Sequence, residues 1–281
     1  MNRLDTWRFR WHLARAVQRR GLRATIYRIG PYATLSAAIA LAAAVLRNHV
    51  KSAQGSGFVV LSSPFITPLF GAAILSSVYL AVASTRTICR EREQGTLEVL
   101  FYGPMDTVAY LLGKYLAQMS VYSLMAAGYL IALALYALVT NFCFDLNLLW
   151  VSLLSTATTS AVVMLGILLS ALNRSARSAL FALLAVVLAL LGVQLERDYF
   201  CSLASELARG HHNLPFSLQT AFTWLNRTVN WLSPFAHLER GIDALLRGSI
   251  AEYWLMMGLS WLYTAIVFGL AVRTMRRRGV R

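Results

Sequence analysis

Acidic side chains are scarce in this chain. Asp and Glu number 12 among 281 residues, against 26 Lys and Arg, and all charged residues together make up only 14%. A soluble domain carries about 25% charge, so this balance, with 58% hydrophobic residues and a mean hydropathy of +0.57, excludes a soluble globular protein and predicts an all-α integral membrane protein. Three cysteines are too few for a disulfide framework. The adjacent His211 and His212 have no Cys, Asp or Glu at ligand spacing, so no metal site is expected. No nucleophile, base and orienter occur together, which leaves covalent catalysis without residues and predicts no enzyme. A phosphate-binding loop is missing as well: Gly113-Lys114 is followed by Tyr115 and has no glycine five positions earlier, so no nucleotide or other cofactor is expected in this chain.

What the chain does have is apolar runs of membrane length. A spanning helix needs about 20 mostly apolar residues, and candidates lie at roughly 29–46, 65–86, 110–140, 148–172, 178–195 and 253–272. Six transmembrane helices place both ends on one side. The third candidate is too long for one straight crossing, so Tyr110 to Gln118 is expected at the water interface. These spans carry essentially no acidic residue away from their ends, whereas gradient-driven carriers place ionisable groups near the midplane. Such a carrier, or a channel, is therefore a disfavoured reading.

The basic residues orient the bundle, because cytoplasmic loops carry excess Lys and Arg. Eight arginines lie in residues 1–30; Arg86, Arg90, Arg92 and Lys114 flank the second loop; Arg174 and Arg177 occupy the fourth; Arg273, Arg276, Arg277, Arg278 and Arg281 end the chain. Both termini are thus expected in the cytoplasm. The net charge of +14 then reports topology and anionic lipid rather than nucleic acid. Residues 1–28 read as a cytoplasmic, amphipathic interfacial helix, with Trp7, Trp11, Ala14, Val17 and Leu22 at near-helical spacing among arginines; a solvated basic tail is the alternative. Residues 29–281 form the six-span domain.

Before the second loop, Pro64 and Pro68 shape the start of a helix that is expected to run past the membrane to Glu93. There follows a charged stretch at about 86–106 containing Arg90, Glu91, Arg92, Glu93, Gly95, Thr96, Leu97, Glu98 and Leu100. Leu97, Leu100 and Phe101 share a helical face, Gly95 permits a break, and Pro104 ends the segment. This string, with the Gly113-Lys114 that opens the next span, closely resembles the type-2 ABC transporter permeases. The segment from Trp231 to Asp243, which includes Ser233-Pro234 and His237, is similar to the branch of gliding-motility and copper-enzyme-maturation permeases.

The resemblance implies a permease subunit of an ATP-driven transporter, outward in direction and housed in a bacterial inner membrane. It implies two permeases, alike or different, working with two cytoplasmic ABC ATPase subunits that bind ATP and magnesium. Glu91, Arg92, Glu93 and Glu98 would then contact the ATPase, Gly95 would set a bend, and Leu97 and Leu100 would dock in its groove. Arg90, Thr96, Pro104, Gly113 and Lys114 complete the coupling segment. A non-transporting membrane scaffold is the rival reading.

The region 196–252 is expected to be an extracytoplasmic loop, helical after Ser233-Pro234. Its first half, Arg197 to Asn230, has no assigned role. Topology puts Cys143 and Cys201 outside and Cys89 inside, so an exterior disulfide between the first two and a pair of separate thiols stay open as alternatives.

Overall fold

The computed structural model describes residues 3–56, 64–97, 106–140, 145–189 and 233–277. Among them all regular structure is helical. In chain order α1 is Arg3–Ile26, α2 Ile29–Ser56, α3 Ile66–Glu93, α4 Thr107–Thr140, α5 Asn147–Leu172, α6 Ala176–Ala189, α7 Pro234–Leu246 and α8 Ile250–Arg277. Five of these are long and apolar enough to cross a membrane, namely α2, α3, α4, α5 and α8. The remaining predicted span, 178–195, begins on α6, and its last residues lie outside the described ones. So do Glu98, Leu100, Phe101, Pro104, Cys143, Cys201 and the first half of the long loop.

Small residues decide which helix sits in the middle. Of the apolar stretch of α5, 72% is buried, against 22% in α2 and 28% in α8. Its most extensive neighbour is α3. A Cβ at Gly166 of α5 would lie 2.7 Å from the Ala81 carbonyl and overlap the Ser84 hydroxyl, so the two backbones approach as only glycine allows. Hydroxyls then tie the surrounding helices to this one: Tyr122 donates to Ser155 (2.8 Å), Tyr115 and Ser160 share a bond (2.6 Å), and Ser160 meets Thr264 of α8 (3.2 Å). In a membrane, where packing and interhelical hydrogen bonds replace hydrophobic burial, such contacts hold the bundle.

At 34 residues α4 is about 51 Å long by its rise per residue, well beyond the ~30 Å hydrocarbon core. The excess is where α1 lies against it. Ala14 is fully buried, Gly21 faces Ala117, and Gln18 donates to Ser120 at 2.8 Å. A Cβ on Gly113 would stand 2.7 Å from the Ala14 carbonyl. The N-terminal segment is thus a packed helix and not a solvated tail. Gly113→Leu is expected to lever α1 off α4, costing about 1–3 kcal/mol by overpacking. Limited trypsinolysis should then cut at Arg15, Arg19 and Arg23 faster than in the wild type; an unchanged cleavage rate would count against this packing.

The segment after Ser233-Pro234 forms the helix its sequence announces, with proline in the first turn and a terminating Gly248 at φ +76° whose amide bonds Leu245 O. One face of this helix is packed against the spans. Gly241 abuts Leu154 of α5, and Phe235 is buried in one cluster with Ala81, Val162 and Leu183. Leu246 and Arg247, at the other end, are exposed. Over 13 residues the helix covers about 20 Å, so it descends beside the spans with its N-terminus deep in the bundle. Gly241 and the small Ala236 and Ala244 let it fit there.

Candidate coupling site

The end of α3 is set by a left-handed residue. Gly95 has φ +68°, a conformation that costs other L-residues about 1–2 kcal/mol. Its amide bonds Arg92 O at 3.1 Å, and the Thr96 hydroxyl bonds Glu91 O at 3.0 Å, so the last carbonyls of the helix are satisfied and the chain turns sharply. Because α3 continues as far as Glu93, its final turn carries four consecutive charged residues, Arg90 to Glu93, at the end of the bundle shared by α1 and the start of α4.

Three of these four are engaged within the chain. Glu91 uses both carboxylate oxygens: Oε2 accepts from the Tyr110 hydroxyl at 2.5 Å, and Oε1 takes an ion pair with Lys114 Nζ. Tyr110 and Lys114 are four residues apart on one face of α4, and the ammonium also sits 5.5 Å from the Tyr110 ring. The pair is substantially buried, with side-chain exposures of 14% for Lys114 and 24% for Glu91. Arg92 Nη1 donates to Asn173 O at 2.9 Å, beyond the end of α5. Glu93 Oε1 accepts the Ala176 amide at 2.8 Å, capping the first turn of α6 with a charge that suits a helix N-terminus. One turn earlier, the Cys89 amide bonds Ser170 Oγ at 3.2 Å and its thiol donates to Ser170 O.

The end of α3 is therefore bolted on one side to α4 and on the other to the α5–α6 corner. Arg10 Nε of α1 pairs with Asp106 at 2.9 Å just before α4. Leu97 was expected to face a partner's groove. It is instead 4% exposed, in the apolar cluster that also holds Ile88, Tyr110 and Leu111, because the turn at Gly95 folds it back onto the helices that precede and follow it. Arg90, Gln94, Gly95 and Thr96 face outward.

Gly113 and Lys114, read in the sequence as one motif, do separate work: the first admits α1 and the second neutralises Glu91. Tyr110, Ser170, Asn173 and the Ala176 amide were missed by sequence reasoning. Of these only Tyr110 had a signal, its spacing of four from Lys114.

Residues 32–280 match the family model described as ABC-2 family transporter protein, which leaves α1 outside the matched stretch. No curated protein matches the chain. With the match covering most of the sequence and five apolar helices of spanning length, the molecule is a multi-pass membrane protein, and the chain belongs to the ABC-2 family of transporter proteins.

Proposed function

We propose that this chain is the permease subunit of an ATP-driven exporter, coupled at the end of α3 to a separate ATPase that binds ATP and magnesium. Six spans, with α6 opening the fifth, and cytoplasmic termini complete the reading; a second permease, alike or different, forms the other wall of the path. The supporting observation is the arrangement around Glu91 to Glu93. A charged helix end that projects from an apolar bundle, yet is bonded to α4 on one side and to the α5–α6 corner on the other, transmits a push to several spans together instead of bending alone. Nucleotide-driven closure of the ATPases would move this end as a block and shift the path between inward and outward access.

Membrane scaffolding without transport is the second reading. It is favoured by the exposed arginines at this end, which would hold a partner equally well without any movement. Gly95→Pro separates the two. Proline fixes φ near −65° and removes the amide that bonds Arg92 O, so the turn is lost while the spans are untouched. Glu93→Arg removes the cap on α6 and puts a cation at a positive helix end. Either variant should insert at wild-type levels, and its co-purified ATPase should hydrolyse ATP at the rate of the isolated subunit. Wild-type hydrolysis in both complexes would refute the coupling role.

A further inference from the structure

We infer that the N-terminus of α7 is a binding site for an oxyanion, a carboxylate or a phosphate, carried as the head of an amphiphile with an apolar body. On the permease reading, on which this step rests, such an amphiphile is the cargo. Ser233 stands at the N-cap position of α7 and is 1% exposed. A serine there ordinarily accepts the amide two or three residues further on. This one makes no such bond, and its hydroxyl has no partner. Pro234 contributes no N–H. The amides of Phe235 and Ala236, both buried, are likewise unpartnered among the described residues. The Ser233 hydroxyl and these two amides thus lie together at one buried helix end, whose dipole favours negative charge.

The surroundings supply no acceptor. Phe235 packs with Ala81, Val162 and Leu183, which places this end near the middle of α3 and α5. At the starts of α5 and α6 a carboxylate, from Asp145 or Glu93, takes a first-turn amide. On α7 itself Glu239 and Asp243 come later in the helix and are exposed, so among the described residues no carboxylate answers the open donors. The matching oxygen has to come from outside the chain. Half-helix N-termini near a bilayer midplane hold anionic substrate groups by the same physics, and the apolar side chains around Phe235 suit the body that would carry the head.

The test uses the full chain purified in a neutral detergent, with three probes of equal chain length: laurate, dodecyl phosphate and dodecanol. Laurate, dodecyl phosphate or both should raise the melting temperature, and dodecanol should not; whichever anion acts names the head. Ser233→Ala deletes a hydroxyl that bonds nothing, so without probe it should melt like the wild type. With probe it should need about fivefold more for half of the shift, the loss of one hydrogen bond. Ser233→Asp supplies an oxyanion from within the chain, at a position where Asp caps well. It should melt higher than the wild type and no longer respond to either anion. No shift with either anion, or an equal shift with dodecanol, would overturn the inference, and so would an Asp variant that responds like the wild type. A lower melting temperature of Ser233→Ala without probe would reveal an ordinary cap or a structural water, and would overturn it too. The probe comparison and Ser233→Ala decide even where the Asp variant does not accumulate. None of these readings involves the ATPase, whose co-purification tests the permease reading separately.

Discussion

Glu91→Ala is expected to lower thermal stability in detergent and to abolish the response of ATP hydrolysis to the permease. The carboxylate holds Lys114 and Tyr110 together across the gap between α3 and α4. Breaking a fully buried ion pair by removing one partner costs about 3–5 kcal/mol, because the other charge is left desolvated. Here the side chains retain 14% and 24% exposure, so Lys114 can reach some water, and about 2–3 kcal/mol is the expected loss. The double variant Glu91→Ala, Lys114→Met separates stability from function. With both charges gone and an unbranched apolar chain in place of the ammonium, most of the lost stability should return. Coupling should not return, since α3 no longer grips α4. Recovery of coupled hydrolysis in the double variant would show that the pair serves folding alone.

Gly166→Leu is expected to have the largest structural effect, preventing accumulation of the folded chain in the membrane. A Cβ there already collides with the Ala81 carbonyl and the Ser84 hydroxyl, and the remaining leucine atoms would force α3 and α5 apart. That displacement removes the bond from Ser84 Oγ to Val163 O and strains the Cys89–Ser170 contacts a turn further on. Overpacking costs about 1–3 kcal/mol in soluble cores. More is expected here, because the rigid Ala81 backbone, and not a flexible side-chain end, is in the way. Gly258→Leu and Gly269→Leu on α8 are the matched controls, since nothing stands within 4 Å of a Cβ at either position. Membrane yield and thermal unfolding should separate the first variant from the other two. Equal behaviour of all three would contradict the close α3–α5 packing.

The sequence announced the helices more clearly than their neighbours. Hydropathy located α2, α3, α4, α5 and α8, and local chemistry set two boundaries: Gly95, the glycine needed at φ +68°, ends α3, and Ser233-Pro234 starts α7. Periodicity, however, identifies an apolar face and leaves open what covers it. Leu97, the described residue of its stripe, looked ready for a partner and is covered by the chain's own core. After Ser233-Pro234, apolar and polar residues alternating at helical spacing announced a helix without saying what its apolar face meets. In the structure Glu239 and Asp243 are exposed while Phe235, Leu238 and Ile242 face the spans. Charges are similarly ambiguous. Glu91 and Glu93 were legible as important residues of the segment, but the Tyr110 hydroxyl and the Ala176 amide that donate to them lie 19 and 83 positions away, which one sequence cannot reveal.

The central claim is that the bolted end of α3 receives work from an ATPase. The most direct measurement is ATP hydrolysis and subunit composition of the wild-type chain and its Glu91→Ala variant, each affinity-purified in mild detergent from native membranes. A stoichiometric soluble ATPase should accompany the wild-type chain, with a hydrolysis rate that depends on Glu91. A pure wild-type chain without ATPase, or a rate indifferent to Glu91, would contradict it.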